Sequence, residues 1–225
     1  MGYDVVLLNL PDGGAYIEEN ALVCIEVINR LNEMLLQNNS DEQIVVVGPS
    51  MGGQIARYAL TYMEQNLNAN TNYGKHNTRL WISYDSPHQG ANIAMGAQAL
   101  IEHFADEDDD DDVSNIWKNK LCCHAALQML IHHRKDTLQQ IYNEYYSHLH
   151  NLNTQTNGYP SNTRNIAIAN GSLNNIPSGI PYQISYEGLI TVPGVYSYDI
   201  RTRNVVNSGT GTVFDYTHWI LFVPI

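Results

Sequence analysis

The run IVVVGPSMGGQIARYAL, residues 44–60, constrains this chain more than any other feature. Its first four residues are all β-branched and do not alternate with polar ones. They predict a strand buried on both faces. Gly48-Pro49-Ser50-Met51-Gly52 then closes the strand, and apolar residues resume at helical spacing over Gln54–Gln65. A strand turning straight into a helix implies a crossover-connected parallel sheet. The serine between glycines matches G-x-S-x-G in its strand–turn–helix setting, where a hydroxyl projects from a strained corner. Gly48 and Gly52 are expected to sit where strand and helix approach too closely for a β-carbon. Gly53 extends the same opening.

This corner also sets Ser50 at a helix N-terminus, where unpaired backbone N–H groups and the helix dipole favour negative charge. The Met51 N–H is the natural first donor to a tetrahedral oxyanion. A serine hydroxyl becomes a useful nucleophile only when a base takes its proton and an acid orients that base. Chain order in this arrangement is Ser, then Asp or Glu, then His, so the partners are sought downstream of residue 50.

The flanking sequence supports a layered α/β domain. YDVVLLNL (3–10) predicts a strand, stopped by the turn Pro11-Asp12-Gly13-Gly14. Ile17, Ala21, Cys24, Ile25, Ile28, Leu31 and Leu35 then recur at three- and four-residue steps, the stripe of a helix packed on a sheet, ended by Asn38-Asn39-Ser40. RLWISYD (79–85) predicts a further strand, and RNIAIANGS (164–172) a fourth parallel one. Between them ANIAMGAQALIEHFA and the stretch from Ile116 to about His148 predict helices, separated by the acidic run Asp106–Asp112. From Pro181 onward Tyr, Thr, Val and Gly predominate, and GVYSYDIRTRNVV alternates, so a small β extension is expected. The predicted division is an α/β core from 1–92 and 160–225, with a helical cap over 93–159.

A formal net charge of −12 excludes a general phosphate-backbone binder. No apolar run approaches the roughly 20 residues that span a bilayer. MGYDVVLL lacks a basic leader and a cleavage site, so no signal peptide is expected in this sequence, and both ends read as cut within strands. Cys24, Cys122 and Cys123 form neither a disulfide framework nor a C-x-x-C knuckle and read as apolar fillers on helices. The acidic run lacks the glycine and spacing of a calcium loop. His124, His132, His133, His148 and His150 fall on predicted helical sequence without an H-E-x-x-H pair. Neither a metal nor a cofactor is implied.

VVVGPSMGGQIARYAL, SYDSPHQGANI and LPDGGAYIEEN together resemble bacterial α/β-hydrolase lipases and esterases, with secreted Bacteroidetes-type esterases and the lipid-acting PGAP1-like branch nearest. The resemblance covers residues 3 to about 100. It implies a mostly parallel sheet flanked by helices, truncated at both ends, with the second oxyanion donor upstream of Met1. It also implies export, against the missing leader. Pro87-His88-Gln89-Gly90 is similar to the P-H-x-G turn that bacterial lipases carry after this strand, where the imidazole would satisfy loop backbone groups.

For the acid, the resemblance points to Asp85, which otherwise caps the turn at Ser86-Pro87; Asp199 and Asp215 are the rivals. For the base, His218 is the last histidine and obeys chain order, although strand-like sequence follows it. The expected function is cleavage of a carboxylic ester, in a small molecule or lipid, by Ser50. The rival is a non-catalytic fold-mate or binding module that keeps the elbow.

Overall fold

A computed structural model of the chain describes residues 4–66, 75–93, 95–107, 117–169, 184–192, 196–203 and 214–220. They fall into two compact units. The first comprises Met1–Ala91, Cys123–Met129 and Gln140–Asn170; the second comprises Asn92–Cys122, Leu130–Gln139 and Gly171–Ile225.

In the first unit, helix α1 (Ile17–Gln37) precedes strand β1 (Ile44–Pro49), helix α2 (Met51–Gln65) and strand β2 (Thr78–Tyr84). Strand β3 (Arg164–Ile168) completes a parallel sheet in the order β1-β2-β3. Registers pair Val47 with Ile82 and Pro49 with Tyr84, and Tyr84 in turn with Ile168. The three strands therefore end level with one another at their carboxyl edge. A parallel pair needs a crossover of a dozen or more residues, and α2 supplies it between β1 and β2.

Helix α2 is the centre of this unit. Every residue from Gly53 to Thr61 is buried, and it packs on β1, β2 and α1. Ile17, Ile25, Leu60, Met63 and Leu149 are fully buried in one core with Trp81 and Tyr145. The α1 stripe follows its spacing over the first three turns, where Ile17, Ala21, Cys24, Ile25 and Ile28 are buried; Leu31 and Leu35 are only half-buried, and the chain leaves the helix through Asn39 at φ 53°. No side chain caps α1 locally. Instead Gln128, on the short helix α4 (His124–Met129), accepts the Ile17 N–H at 2.7 Å and donates to Glu18.

Three expectations about the elements need correction. Residues 4–10 pair with no strand among the described residues, and Val5 and Leu7 stand 77% and 90% exposed. An apolar run specifies a strand only if a neighbour takes its backbone hydrogen bonds, and β1 has its described neighbour on one side alone. IVVV likewise is not buried on both faces. Val46 turns toward the core, while Val45 and Val47 are exposed, because α2 covers one face of the sheet.

The stretch from Ile116 is not one helical run. It divides into a π-helical turn (Trp117–Leu121), α4, a 3₁₀ turn (Asp136–Leu138) and helix α5 (Gln139–Leu152). Cys122 and Cys123, like His132 and His133, lie in the links between these pieces. His133 Nδ1 accepts the Lys135 N–H at 3.0 Å, the kind of side-chain bond that competes with a helix. Most of the acidic run, residues 108–112, lies outside the described residues.

The second unit holds helix α3 (Met95–Glu107) and an antiparallel sheet of β4 (Ile184–Val192), β5 (Tyr196–Arg203) and β6 (Phe214–Ile220), as the alternating composition anticipates. Among the described residues no helix is long and apolar enough to cross a membrane.

Candidate active site

Ser50 occupies the corner between β1 and α2 with φ 50° and ψ −124°. A side chain at positive φ is strained, at a cost of order 1–3 kcal/mol, and persists only where its surroundings over-determine it. Here they do so from both sides. The Ser50 N–H donates to the Tyr84 carbonyl at 2.8 Å, fastening the corner to β2, and the Gly53 N–H donates to the Ser50 carbonyl at 3.0 Å. Ser50 is exposed, and its hydroxyl makes no capping bond to the helix it precedes. Met51 occupies the first turn of α2, where backbone N–H groups have no acceptor within the helix.

The glycines around the corner are not equivalent. A β-carbon on Gly48 would lie 2.4 Å from the Gly52 carbonyl oxygen and 2.6 Å from the Gly53 nitrogen. One on Gly53 would lie 2.0 Å from Ser86 Oγ and 2.6 Å from Ser83 Oγ. Gly52 differs: its β-carbon would meet only Pro49 Cδ, at an ordinary 3.5 Å. The close approach thus requires Gly48 and Gly53, not Gly48 and Gly52. Gly48 must admit the backbone of the turn, and Gly53 must admit the segment leaving β2.

Asp85 stands one position beyond β2, as Ser50 stands one beyond β1. It too has positive φ, 48°, and its N–H donates to Ile168 at 2.6 Å. Register therefore places Ser50 and Asp85 side by side at the carboxyl edge of adjacent parallel strands. The turn PDGG reaches the same edge. A β-carbon on Gly13 would lie 3.9 Å from Met51 Cε, and Asp12 Oδ1 accepts the Gly14 N–H at 2.8 Å.

His218 belongs to the second unit, within β6 opposite Tyr198, and Asp199 and Asp215 sit on β5 and β6 opposite Thr217 and Arg201. Among the described residues no side chain hydrogen-bonds Ser50 Oγ.

The Pro87–Gly90 turn is built differently from the expectation. The His88 ring does not bond loop backbone groups; its Nε2 lies 2.6 Å from Ser83 Oγ, and Trp81 stands edge-on to it at 5.5 Å. Burial, then the charge of Arg57, pull its pKa down to about 4, so the imidazole is neutral at pH 7. The turn backbone is held from α2 and α5 instead. Gln54 Nε2 and the Tyr146 hydroxyl both donate to the Pro87 carbonyl, and Arg57 Nη1 donates to that of His88 at 2.9 Å. Gly90 closes the turn at φ 94°.

Gln54 and Arg57 open a polar stripe along α2, continued by Thr61 and Glu64, all buried. Arg57 donates to the carbonyls of Gly158 at 3.0 Å and Asn157 at 2.6 Å, and Thr61 also donates to Gly158. Glu64 accepts from Ser161 N–H and O–H, from Asn162 N–H and from His76 Nε2. His76 Nδ1 accepts the Thr78 N–H, so its proton resides on Nε2 and points at Glu64. Burial raises the Glu64 carboxyl, but the bonds from His76, Ser161 and Asn162 outweigh it and leave the group below the usual range. This stripe fastens the segment before β3 and the turn after β2 to the helix that carries Ser50. Polar residues at positions 54, 57, 61 and 64 keep helical spacing within an otherwise apolar helix, which was the signal for it in the sequence.

A protein-family model described as "PGAP1-like alpha/beta domain" matches residues 12–176. Comparison with curated proteins and comparison with solved structures each gave no match. The matched span contains the elbow, both helices that build its core and all three parallel strands. On that match the chain belongs to the PGAP1-like alpha/beta domain family, and its fold is hydrolase-like.

Proposed function

We propose that the chain is a serine hydrolase of carboxylic esters. The observation that carries this reading is the backbone of Ser50, held at φ 50° and ψ −124° with its side chain exposed at the head of a 15-residue helix. Strain of this kind costs stability, and a hydroxyl delivered to the carboxyl edge of a parallel sheet is what it gains. Ser50 Oγ attacks the ester carbonyl carbon as a base takes its proton. The carbonyl π electrons move to oxygen, and the Met51 N–H holds that oxyanion. Collapse expels the alcohol, which leaves with the proton, and water then cleaves the acyl-serine by the same route. His218 is the proposed base and Asp85 the proposed acid.

The test is covalent. A fluorophosphonate probe should label Ser50, and Ser50→Ala should abolish both labelling and hydrolysis of short p-nitrophenyl esters. A second reading, a binding module that keeps the elbow, is favoured by the lack of any described hydrogen bond to Ser50 Oγ. It requires an unlabelled Ser50 and no ester turnover that Ser50→Ala removes.

A further inference from the structure

Behind the Pro87–Gly90 turn lies a cavity of about 250 Å³, walled by Arg57, His88, Gln89, Tyr142, Tyr146 and Tyr159. It is smaller than the roughly 300–1,000 Å³ of sites for drug-sized ligands, and its walls are largely aromatic. His150 and Asn157 complete the lining, and among the described residues no carboxylate enters it. Arg57 is 1% exposed, and among the described residues no Asp or Glu pairs with it. A guanidinium has five N–H groups. Three donate to the carbonyls of Gly158, His88 and Asn157, while the planar face lies 3.6 Å from the Tyr159 ring centroid. Two N–H groups and the whole positive charge are left without an anion.

His88 adds a donor to the same wall. Ser83 Oγ is the hydrogen-bond partner of His88 Nε2, and in the tautomer with the imidazole proton on Nδ1 the hydroxyl donates to that nitrogen. That Nδ1 is buried and has no hydrogen-bond partner among the described residues. The nearby phenol protons are already engaged: Tyr142 O–H donates to the Gln89 carbonyl and Tyr146 O–H to that of Pro87. A buried N–H without an acceptor is costly, and a guanidinium held only by neutral carbonyls keeps a charge that an anionic acceptor neutralises.

We propose that this cavity binds a small carboxylate, its oxygens taken by Arg57 and His88 Nδ1 and its carbon body laid against the tyrosine rings. Inorganic phosphate offers the charge without a body for those rings. The site requires no turnover at Ser50.

The probe is benzoate, titrated into the full chain by calorimetry and by the imidazole nitrogen shifts of His88. Gln89 is exposed at the cavity rim, so Gln89→Glu and Gln89→Lys change the local charge without cutting the buried network. Benzoate should bind saturably. Gln89→Glu should weaken it about threefold and Gln89→Lys tighten it by a similar factor, the effect of a unit charge roughly 6 Å away in water. Benzamide, neutral and nearly isosteric, should not compete. No saturable binding, benzamide binding equal to benzoate, or affinity indifferent to both Gln89 substitutions would overturn the proposal. Binding of phosphate in the absence of benzoate binding would overturn the carboxylate assignment.

Discussion

Replacing Gly48 with alanine puts a methyl group where the elbow has no room. The new carbon would lie 2.4 Å from the Gly52 oxygen, 2.5 Å from its carbonyl carbon and 2.6 Å from the Gly53 nitrogen. All three are backbone atoms, so no rotamer change relieves the contact. Turn and strand must separate by about 1 Å to restore ordinary van der Waals distance. Overpacking of this kind costs about 3 kcal/mol, toward the upper end of its usual range, because the Ser50–Tyr84 hydrogen bond is pulled as well. A displacement near 1 Å at a nucleophile lowers its reactivity about 100-fold.

Gly52→Ala is the control. Its methyl meets only Pro49 at 3.5 Å, so stability should change by about 0.5 kcal/mol or less and labelling should be kept. Urea unfolding followed by circular dichroism gives the first quantity, and the rate of fluorophosphonate labelling the second. If Gly52→Ala proves as damaging as Gly48→Ala, or Gly48→Ala unfolds at the wild-type midpoint, the close-approach account of the corner is wrong.

Ser50→Gly should stabilise the fold by about 1 kcal/mol while abolishing labelling, since glycine adopts the observed φ without strain; an unchanged or lower melting midpoint would refute that strain. The neutral His88 ring makes stability fall with acidification. Between about pH 6.5 and about pH 4 the unfolded imidazole binds a proton that the folded one does not, which costs about 1–2 kcal/mol after solvent screening at a half-buried ring. His88→Gln should flatten that part of the pH–stability curve, and a curve unchanged by the substitution would refute the assignment. Glu64 acts in the same direction at lower pH: its contribution is full above the ordinary carboxylate pKa and vanishes as pH drops through its depressed folded value. Glu64→Gln should therefore cost about 2–4 kcal/mol at pH 7 and much less near pH 2, as read from paired urea titrations. Arg57→Met should cost about 3–5 kcal/mol, because the carbonyls of His88 and Asn157 lose this donor and that of Gly158 keeps only Thr61; a loss under about 1 kcal/mol would show that water replaces the guanidinium.

Local pattern determined a great deal here. The spacing of Ile17, Ala21, Cys24, Ile25 and Ile28 marked the buried face of α1, four β-branched residues marked β1, and Gly48-Pro49-Ser50-Met51-Gly52 marked the corner and its exposed hydroxyl. These follow from backbone sterics and periodicity, which act within a few residues. Tertiary structure decided whatever depends on a distant partner. Residues 4–10 carry strand composition yet gain no ladder among the described residues, and Gly53 rather than Gly52 proved the second essential glycine, because it faces Ser83 and Ser86 on the next strand and its exit. Arg57 and Glu64 read as ordinary helix residues until Gly158 and Ser161, about a hundred positions away, supply the carbonyls and N–H groups that justify burying a charge. A buried polar side chain is defined by the groups that satisfy it, and only the folded chain brings those groups within 3 Å.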